Sequence, residues 1–288
     1  MLKVRNLRVE SFDSDALDIL WEIDPTHEDP LDYDFVVLRS ESPEGPWDKM
    51  SPPFVDKYWF RDTHTPPNRK FRHLFYAIQI IHRASATSEI CPAAEVSANL
   101  PLDGLEIARQ EHIVLREHNG SKVLLYTIRT FGQRCGCFNE ILGTQIQSKC
   151  PECFGTGWVR GYFAPIEVYL QLEPTPDAEK KTSMGTIEPQ NATARMGPYP
   201  PVKPGDVIIE AENIRWRINQ RAKTERLRAV VHQELQLFRI EPGDIEYLLP
   251  VRWDVSENPP SETREFQNPH TPDRDSQLEE AMSRMYSS

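Results

Sequence analysis

The chain has 288 residues, enough for two domains of ordinary size, and carries 33 basic against 44 acidic side chains, a net charge of −11. That balance speaks against a general nucleic-acid binder, which needs clustered Lys and Arg to face phosphates, but leaves room for a local basic face. The 25 prolines argue against a long-helix protein, and the longest apolar run, residues 74–81, falls far short of the ~20 residues of a membrane-spanning helix. MLKVRNLRVESFD has no apolar stretch of the kind a signal peptide carries, so synthesis in the cytoplasm is expected.

Residues 1–98 read as an all-β unit. In ALDILWEID, Leu17, Ile19, Trp21 and Ile23 share one face of a strand, with Asp18, Leu20 and Glu22 on the other. Turn-rich PTHEDPLD leads to a strand in YDFVVLRSES, then turns in SPEGPW, a strand near FVDKYWFRD, a turn in THTPPNRK and a strand in HLFYAIQIIH. Short strands at this spacing predict an antiparallel sandwich with Trp21 and Tyr76 in its core. The Trp21 strand, LRSESPEGPW and YAIQII resemble a fibronectin type III domain, whose usual role as spacer or adhesive module implies no chemistry. Cys91, followed by Pro92, reads as a small buried residue on a strand.

Residues 99–118 predict a helix with a loose apolar face of Leu105, Ile107, Ile113, Val114 and Leu115, stopped by Asn119-Gly120. A strand in KVLLYTIRT runs into RCGCFNEILGTQIQSKCPECFGTGW, which holds four of the five cysteines: Cys135, Cys137, Cys150 and Cys153. The spacing C-x-C-x12-C-x2-C supplies four soft ligands for a tetrahedral ion, so a structural Zn²⁺ ribbon over residues 134–160 is expected. The turn in CPECFGTG lets backbone amides face sulfur, and Gly155 and Gly157 allow the chain to curl beneath the metal. With no histidine in the cluster the site would be closed, and Arg134, Lys149 and Arg160 could offset its formal −2 charge. Metal would then substitute for a core that only Phe138, Ile141, Leu142, Ile146, Phe154 and Trp158 could build. Disulfides and unliganded structural thiols are the alternatives; a reducing compartment disfavours the first. Few basic residues flank the cluster, so a nucleic-acid ribbon has a thin electrostatic footprint.

YFAPIEVYLQLEP predicts another strand, and residues 174–204, with seven prolines, a long arm or loop. Three strands are expected in residues 204–240, with Ile214, Trp216 and Ile218 alternating, then Leu235, Leu237 and Ile240. The tail, residues 254–288, reads as a polar arm ending in a short helix, SQLEEAMSRMYSS. The eight histidines are scattered, and no nucleophile elbow, P-loop or zincin motif is present, so no catalytic residue is assigned. Asp24, Glu28, Asp29, Asp32 and Asp34 match no EF-hand spacing and read as a solvated loop rather than a Ca²⁺ site. Arg215, Arg217, Arg221, Lys223, Arg226 and Arg228 form a basic hairpin face, solvated or turned to an acidic neighbour or phosphate.

RTFGQRCGCFNE…KCPECFGTGWVRGYFAPIEVYLQ is similar to a cysteine-ribbon segment of phage structural proteins, with C-x-C here where C-x-x-C is expected. VKPGDVIIEAENIRWRINQ…HQELQLFRIEPGDIEYLLP resembles head–tail joining proteins. Together they imply a tailed-bacteriophage virion protein of the neck or head–tail connector type, not an enzyme, made in the host cytoplasm. Its expected partners are other neck and tail proteins and copies of itself in a ring around the DNA path, without membrane or sequence-specific nucleic-acid binding. A tail or baseplate part, a zinc-ribbon regulator that binds nucleic acid, and an adhesive module are the competing roles. The expected fold is mainly β: a fibronectin III/Ig-like sandwich (1–98), a second β-rich domain (99–253) with the ribbon, one short helix and the 174–204 loop, and the arm (254–288).

Overall fold

Two β assemblies, with a small cysteine-bound ribbon beside them, make up the computed structural model, which is mainly β, with a single α-helix among the described residues. It describes residues 2–12, 16–24, 28–64, 73–95, 102–139, 141–147, 149–174, 180–182, 185–187, 190–251 and 253. The expected domain border at 98/99 and the tail arm with its short helix lie outside these residues.

The first assembly has strands β1 (Val4–Glu10), β2 (Leu17–Ile23), β3 (Tyr33–Ser40), β4 (Asp48–Lys49), β5 (Trp59–Asp62), β6 (Phe75–His82), β7 (Ser88–Ile90) and β8 (Ala94–Glu95). They form two antiparallel sheets, β1-β2-β5 and β4-β3-β6-β7, with β8 also on β6. Period-2 alternation sends Leu17, Ile19, Trp21 and Ile23 inward to meet Phe35, Val37, Tyr76 and Ile78 of the other sheet in one core. Cys91 lies just past β7, buried in the same core, and its sulfur accepts from the Ile78 amide.

The outer face of β2 is not solvated as alternation alone suggests. Asp18 is fully buried and bound by both Nε and Nη2 of its cross-strand neighbour Arg61, each at 3.0 Å. Arg61 in turn lies against the Tyr199 ring, which the second assembly contributes.

That second assembly opens with helix α1 (Leu102–Val114), continued by a π turn to Asn119 and closed where the Gly120 amide donates to the Leu115 carbonyl. The buried helix positions are Gly104, Leu105, Ala108 and Leu115, whereas Ile113 and Val114 are exposed. The expected face included Ile113 and Val114. The helix instead needs small residues against β18: a Cβ on Gly104 would come within 2.9 Å of the Ala229 Cβ.

Strand β9 (Ser121–Tyr126) follows, then the ribbon with β10 (Phe138–Asn139) and β11 (Thr144–Gln145), and β12 (Ile166–Pro174). A small hairpin pairs β13 (Lys180–Thr182) with β14 (Gly185–Ile187). After it come β15 (Asn191–Met196), β16 (Val207–Ile209), β17 (Arg215–Arg226) and β18 (Ala229–Arg239). Six of these close an antiparallel barrel in the order β12-β15-β18-β17-β16-β9. Residues 174–204 are therefore not simply an arm. Asn191–Met196 is a barrel strand between β12 and β18, with Ala192, Ala194 and Met196 turned into the core. Closure leaves no unpaired edge.

Beyond the barrel wall, Val207 and Ile209 face outward yet are buried, because the closing segment with its 3-10 turn (Ile245–Leu248) packs over them with Ile240 and Leu249. Arg215, buried at the start of β17, donates to the carbonyls of Glu246 and Leu249 and pins that cover in place.

Candidate metal centre

The four cysteines converge from two tight turns. β10 and β11 form the hairpin between them, with the Ile146 amide donating to the Cys137 carbonyl. In the second turn, Phe154 donates to the Cys150 carbonyl at 2.8 Å and Thr156 to that of Cys153 at 2.9 Å. The turn needs left-handed backbone at Phe154, Gly155 and Gly157, and again at Arg160 and Gly161. Gly161 is the tightest: its φ is +63° and a Cβ there would stand 2.6 Å from the Cys153 carbonyl oxygen.

All four sulfurs lie within 4.8 Å of one another, with Cys135–Cys150 at 3.8 Å and Cys137–Cys153 at 3.3 Å. A disulfide requires about 2.0 Å. An ion held by four thiolates at about 2.3 Å spaces its sulfurs about 3.8 Å apart. The geometry therefore suits four separate thiols around one ion, and all of them are free. Among the described residues this is the one group of His, Cys, Asp or Glu side chains that could hold a metal ion. The acidic loop does not gather: Asp29 accepts from Arg160, Glu28 from Tyr33 and Asp34 from Arg83.

The electrostatics of the sulfurs are uneven. The amides of Cys153 and Glu152 point at the Cys150 sulfur and bring its thiol down to about 7. Burial pushes Cys137 up to about 11 and drives Cys135 higher still. Glu152, which the sequence did not single out, places a carboxylate oxygen 3.3 Å from the Cys135 sulfur.

The arginines divide their work differently from the expected offset of thiolate charge. The Arg134 guanidinium sits between the rings of Phe138 and Trp158, at 4.1 and 3.7 Å from their centroids. Arg160 leaves the cluster and binds Asp29 and Asp56 of the sandwich, each at 2.9 Å. Arg129, buried just after β9, reaches the same Asp56 carboxylate and also donates to the Tyr162 carbonyl. The Arg129 amide bonds the Gly161 carbonyl, and the Arg160 amide the Glu152 carbonyl. The cysteine turn thus holds two guanidinium groups against one carboxylate of the sandwich.

Nor do the apolar residues of the ribbon make it a core. Trp158 is buried and Phe154 packs on Tyr162, but Ile141, Leu142 and Ile146 are 95, 69 and 71% exposed. The cysteines themselves are the buried centre of the segment. The expected basic hairpin is also divided. Arg215 is structural, Arg217 pairs with Glu246 and Arg221 donates to the Val202 carbonyl, while Lys223, Arg226 and Arg228 are exposed near the hairpin end. Trp216 is buried in the barrel core. No protein-family model matches the chain, and no curated protein matches it.

Proposed function

We propose that this chain is a non-enzymatic structural subunit of a tailed-bacteriophage particle, a neck or head–tail connector that joins copies of itself in a ring around the DNA path. The observation that carries the reading is the closed, all-cysteine cluster fastened to the sandwich through Arg160 and Asp56. Four thiolates fill a tetrahedral shell and leave no position for a reacting water, so the ion stiffens a subunit rather than performing chemistry. Zinc is the ion proposed, because a sulfur-only tetrahedral set suits it and folds segments that lack a core. The strand order β1-β2-β5 against β4-β3-β6-β7 supports a fibronectin type III-like sandwich, a spacer on such a particle.

The barrel gives the resemblance a second support, since both phage-like segments contribute strands to it: β12 from the first, β16, β17 and β18 from the second. A tail or baseplate location uses the same parts. The regulatory rival has one observation in its favour, the cations Lys223, Arg226 and Arg228, which form no ion pair among the described residues.

Native and denaturing mass spectrometry of the full chain, without reductant, tests the proposal. One zinc per chain, a discrete ring-sized oligomer or co-sedimentation with portal rings, and no shift of DNA at moderate salt support it. A metal-free chain four hydrogens light overturns it, as does a monomer that shifts DNA with a steep salt dependence.

A further inference from the structure

The three most exposed large apolar side chains among the described residues, Ile141, Ile146 and Leu142, all lie at the β10–β11 hairpin of the ribbon. Scattered singly, such residues need no explanation, but three between residues 141 and 146 make a patch of the kind that marks an interaction surface. The turn that carries them is tied down. The Asn139 side-chain oxygen accepts from the amides of Ile141 and Leu142 at 2.9 and 3.1 Å, and its carbonyl accepts from the Gly143 amide at 2.9 Å. The Ile146 amide is held by the Cys137 carbonyl. The hairpin therefore presents a preformed apolar knob, and Ile141, 95% exposed, fills no socket on its own copy.

The same chain carries a socket. Where the sandwich meets the barrel there is a cavity of about 160 Å³. Six aromatic residues stand in its wall: Trp21, Tyr58 and Trp59 from the sandwich, Phe131 and Phe163 from the segments flanking the ribbon, and Tyr199 from the loop after β15. Its carboxylates already have donors. Glu22 accepts from Asn6 at 2.9 Å, Asp56 from Tyr58, Arg129 and Arg160, and Asp206 from the amides of Ile128 and Lys203 at 2.8 and 2.7 Å. Of its cations, Arg8 and Lys203 are exposed, and Lys57 lies over the rings of Phe54 and Trp59. What the wall leaves to an occupant is aromatic and aliphatic surface, which favours an apolar group with no hydrogen bonds to satisfy. An engineered cavity of about 150 Å³ admits a benzene ring, and the side chain of leucine or isoleucine is smaller than that ring.

Knob and socket lie on different parts of one chain, and that decides what joins them. A two-fold dimer needs one patch that complements itself. In a ring of more than two copies every interface is heterologous, so each copy must bring two different patches that complement each other. We infer that the ribbon knob, Ile141 and Leu142 foremost, docks head to tail into the sandwich–barrel socket of a second copy of this chain. This deepens the reading proposed above, on which it rests for the closing of the ring, by naming the contact that joins the subunits.

Sedimentation velocity of the full chain over a concentration series, with two variants, tests the contact. Ile141→Ser combined with Leu142→Ser removes the knob, and Ala164→Glu sets a charge on the exposed side of the socket. All three positions are exposed, so both variants keep the wild-type urea midpoint. The wild type should form oligomers that grow with concentration, and each variant should weaken association by at least about tenfold, as loss of an interface hot spot does. An equimolar mixture of the two variants should recover a 1:1 dimer and nothing larger, because one intact knob then meets one intact socket. The inference is overturned by a wild type that stays monomeric, by either variant assembling as the wild type does, or by a mixture that forms no dimer. A ring that survives both variants removes this contact and leaves the structural-subunit reading standing. Open filaments that both variants abolish support the contact and count against the neck role.

Discussion

Replacing Asp56 by Asn removes the carboxylate on which two guanidinium groups converge, and the two do not fail alike. Arg160 Nη1 donates to Asp56 at 2.9 Å, but its side chain is 31% exposed and keeps Asp29, so it can rehydrate. Its share of the loss is under about 1 kcal/mol. Arg129 is only 3% exposed and cannot reach water. It retains the Tyr162 carbonyl at 3.0 Å and the face of Phe163, yet its charge is left without a counter-ion. Breaking a buried pair from one side costs about 3–5 kcal/mol, and the retained contacts put Arg129 at the lower end, about 3 kcal/mol. The sum, about 3–4 kcal/mol, corresponds to a fall in Tm of about 6–15 °C for a chain of this size. Urea unfolding followed by circular dichroism should show a lower midpoint with an unchanged slope. Asp56→Leu combined with Arg129→Met swaps the pair for apolar groups and should recover most of the loss. A loss below about 1 kcal/mol in Asp56→Asn, or a double variant as unstable as the single one, would show that the carboxylate does not hold the seam.

Four further outcomes are expected. Cys153→Ser should lower bound metal from one ion per chain to none and speed amide exchange across residues 134–160 while sparing the sandwich core; retained metal in the native mass would refute this. Glu152→Gln removes a carboxylate 3.3 Å from the Cys135 sulfur, and relief of about 1 kcal/mol of like-charge repulsion should tighten metal binding by up to about fivefold in a chelator competition; weaker binding would count against it. Asp206, pushed by burial from 3.8 to about 6, holds its proton more firmly folded than unfolded, so its contribution to stability should decline as pH rises from 4 to 6, by up to about 3 kcal/mol, and the stability difference between wild type and Asp206→Asn should track that decline rather than stay flat. Gly161→Ala should cost at least about 1 kcal/mol and weaken metal binding, since its Cβ meets the Cys153 carbonyl at left-handed φ; wild-type chelator resistance would contradict the geometry.

The parts of the fold that the sequence announced are those with a local period. The alternation through Leu17, Ile19, Trp21 and Ile23 survives folding because its faces differ in polarity by more than packing can override. The same holds for Trp216 and Ile218, and for Leu235 and Leu237, on the barrel strands. Asn191–Met196 was lost because Ala192 and Ala194 are too small to raise a hydrophobic signal, although a crowded barrel interior selects small residues. The helix face differs from the expected one for a related reason: Gly104 packs on Ala229 of β18 and Ala108 is buried, whereas the larger Ile113 and Val114 are exposed. The cysteine cluster was fully legible from spacing, whereas Glu152 lay hidden inside it, since nothing in CPEC says where the glutamate turns. Asp56 carried no local signal at all. Its two arginine partners stand 73 and 104 residues away, and only the fold brings them together.

That separation bears on what an ion held by the four cysteines would do. A ribbon whose ion merely replaced a missing core would owe nothing to its neighbours, and its exposed Ile141, Leu142 and Ile146 show how little apolar burial the segment achieves. Here the turn that carries Cys150 and Cys153 also sets the direction of Arg160, through the Arg160 amide on the Glu152 carbonyl. It fixes Arg129 as well, through the Gly161 carbonyl. Both arginines then close on Asp56, so the shape imposed by the cluster is transmitted to the seam between sandwich and barrel. In the ring proposed above, small errors of angle would multiply with each copy, and a turn set by a bound ion would be stiffer than a loop held by side chains alone. Removing the ion should therefore loosen the seam, whereas breaking the seam at Asp56 should leave the ion bound. Amide exchange at β3 and β5 together with metal content, measured on the metal-free wild type and on Asp56→Asn, separates the two directions. Exchange at the seam that is unchanged by metal loss would confine the ion to the ribbon alone.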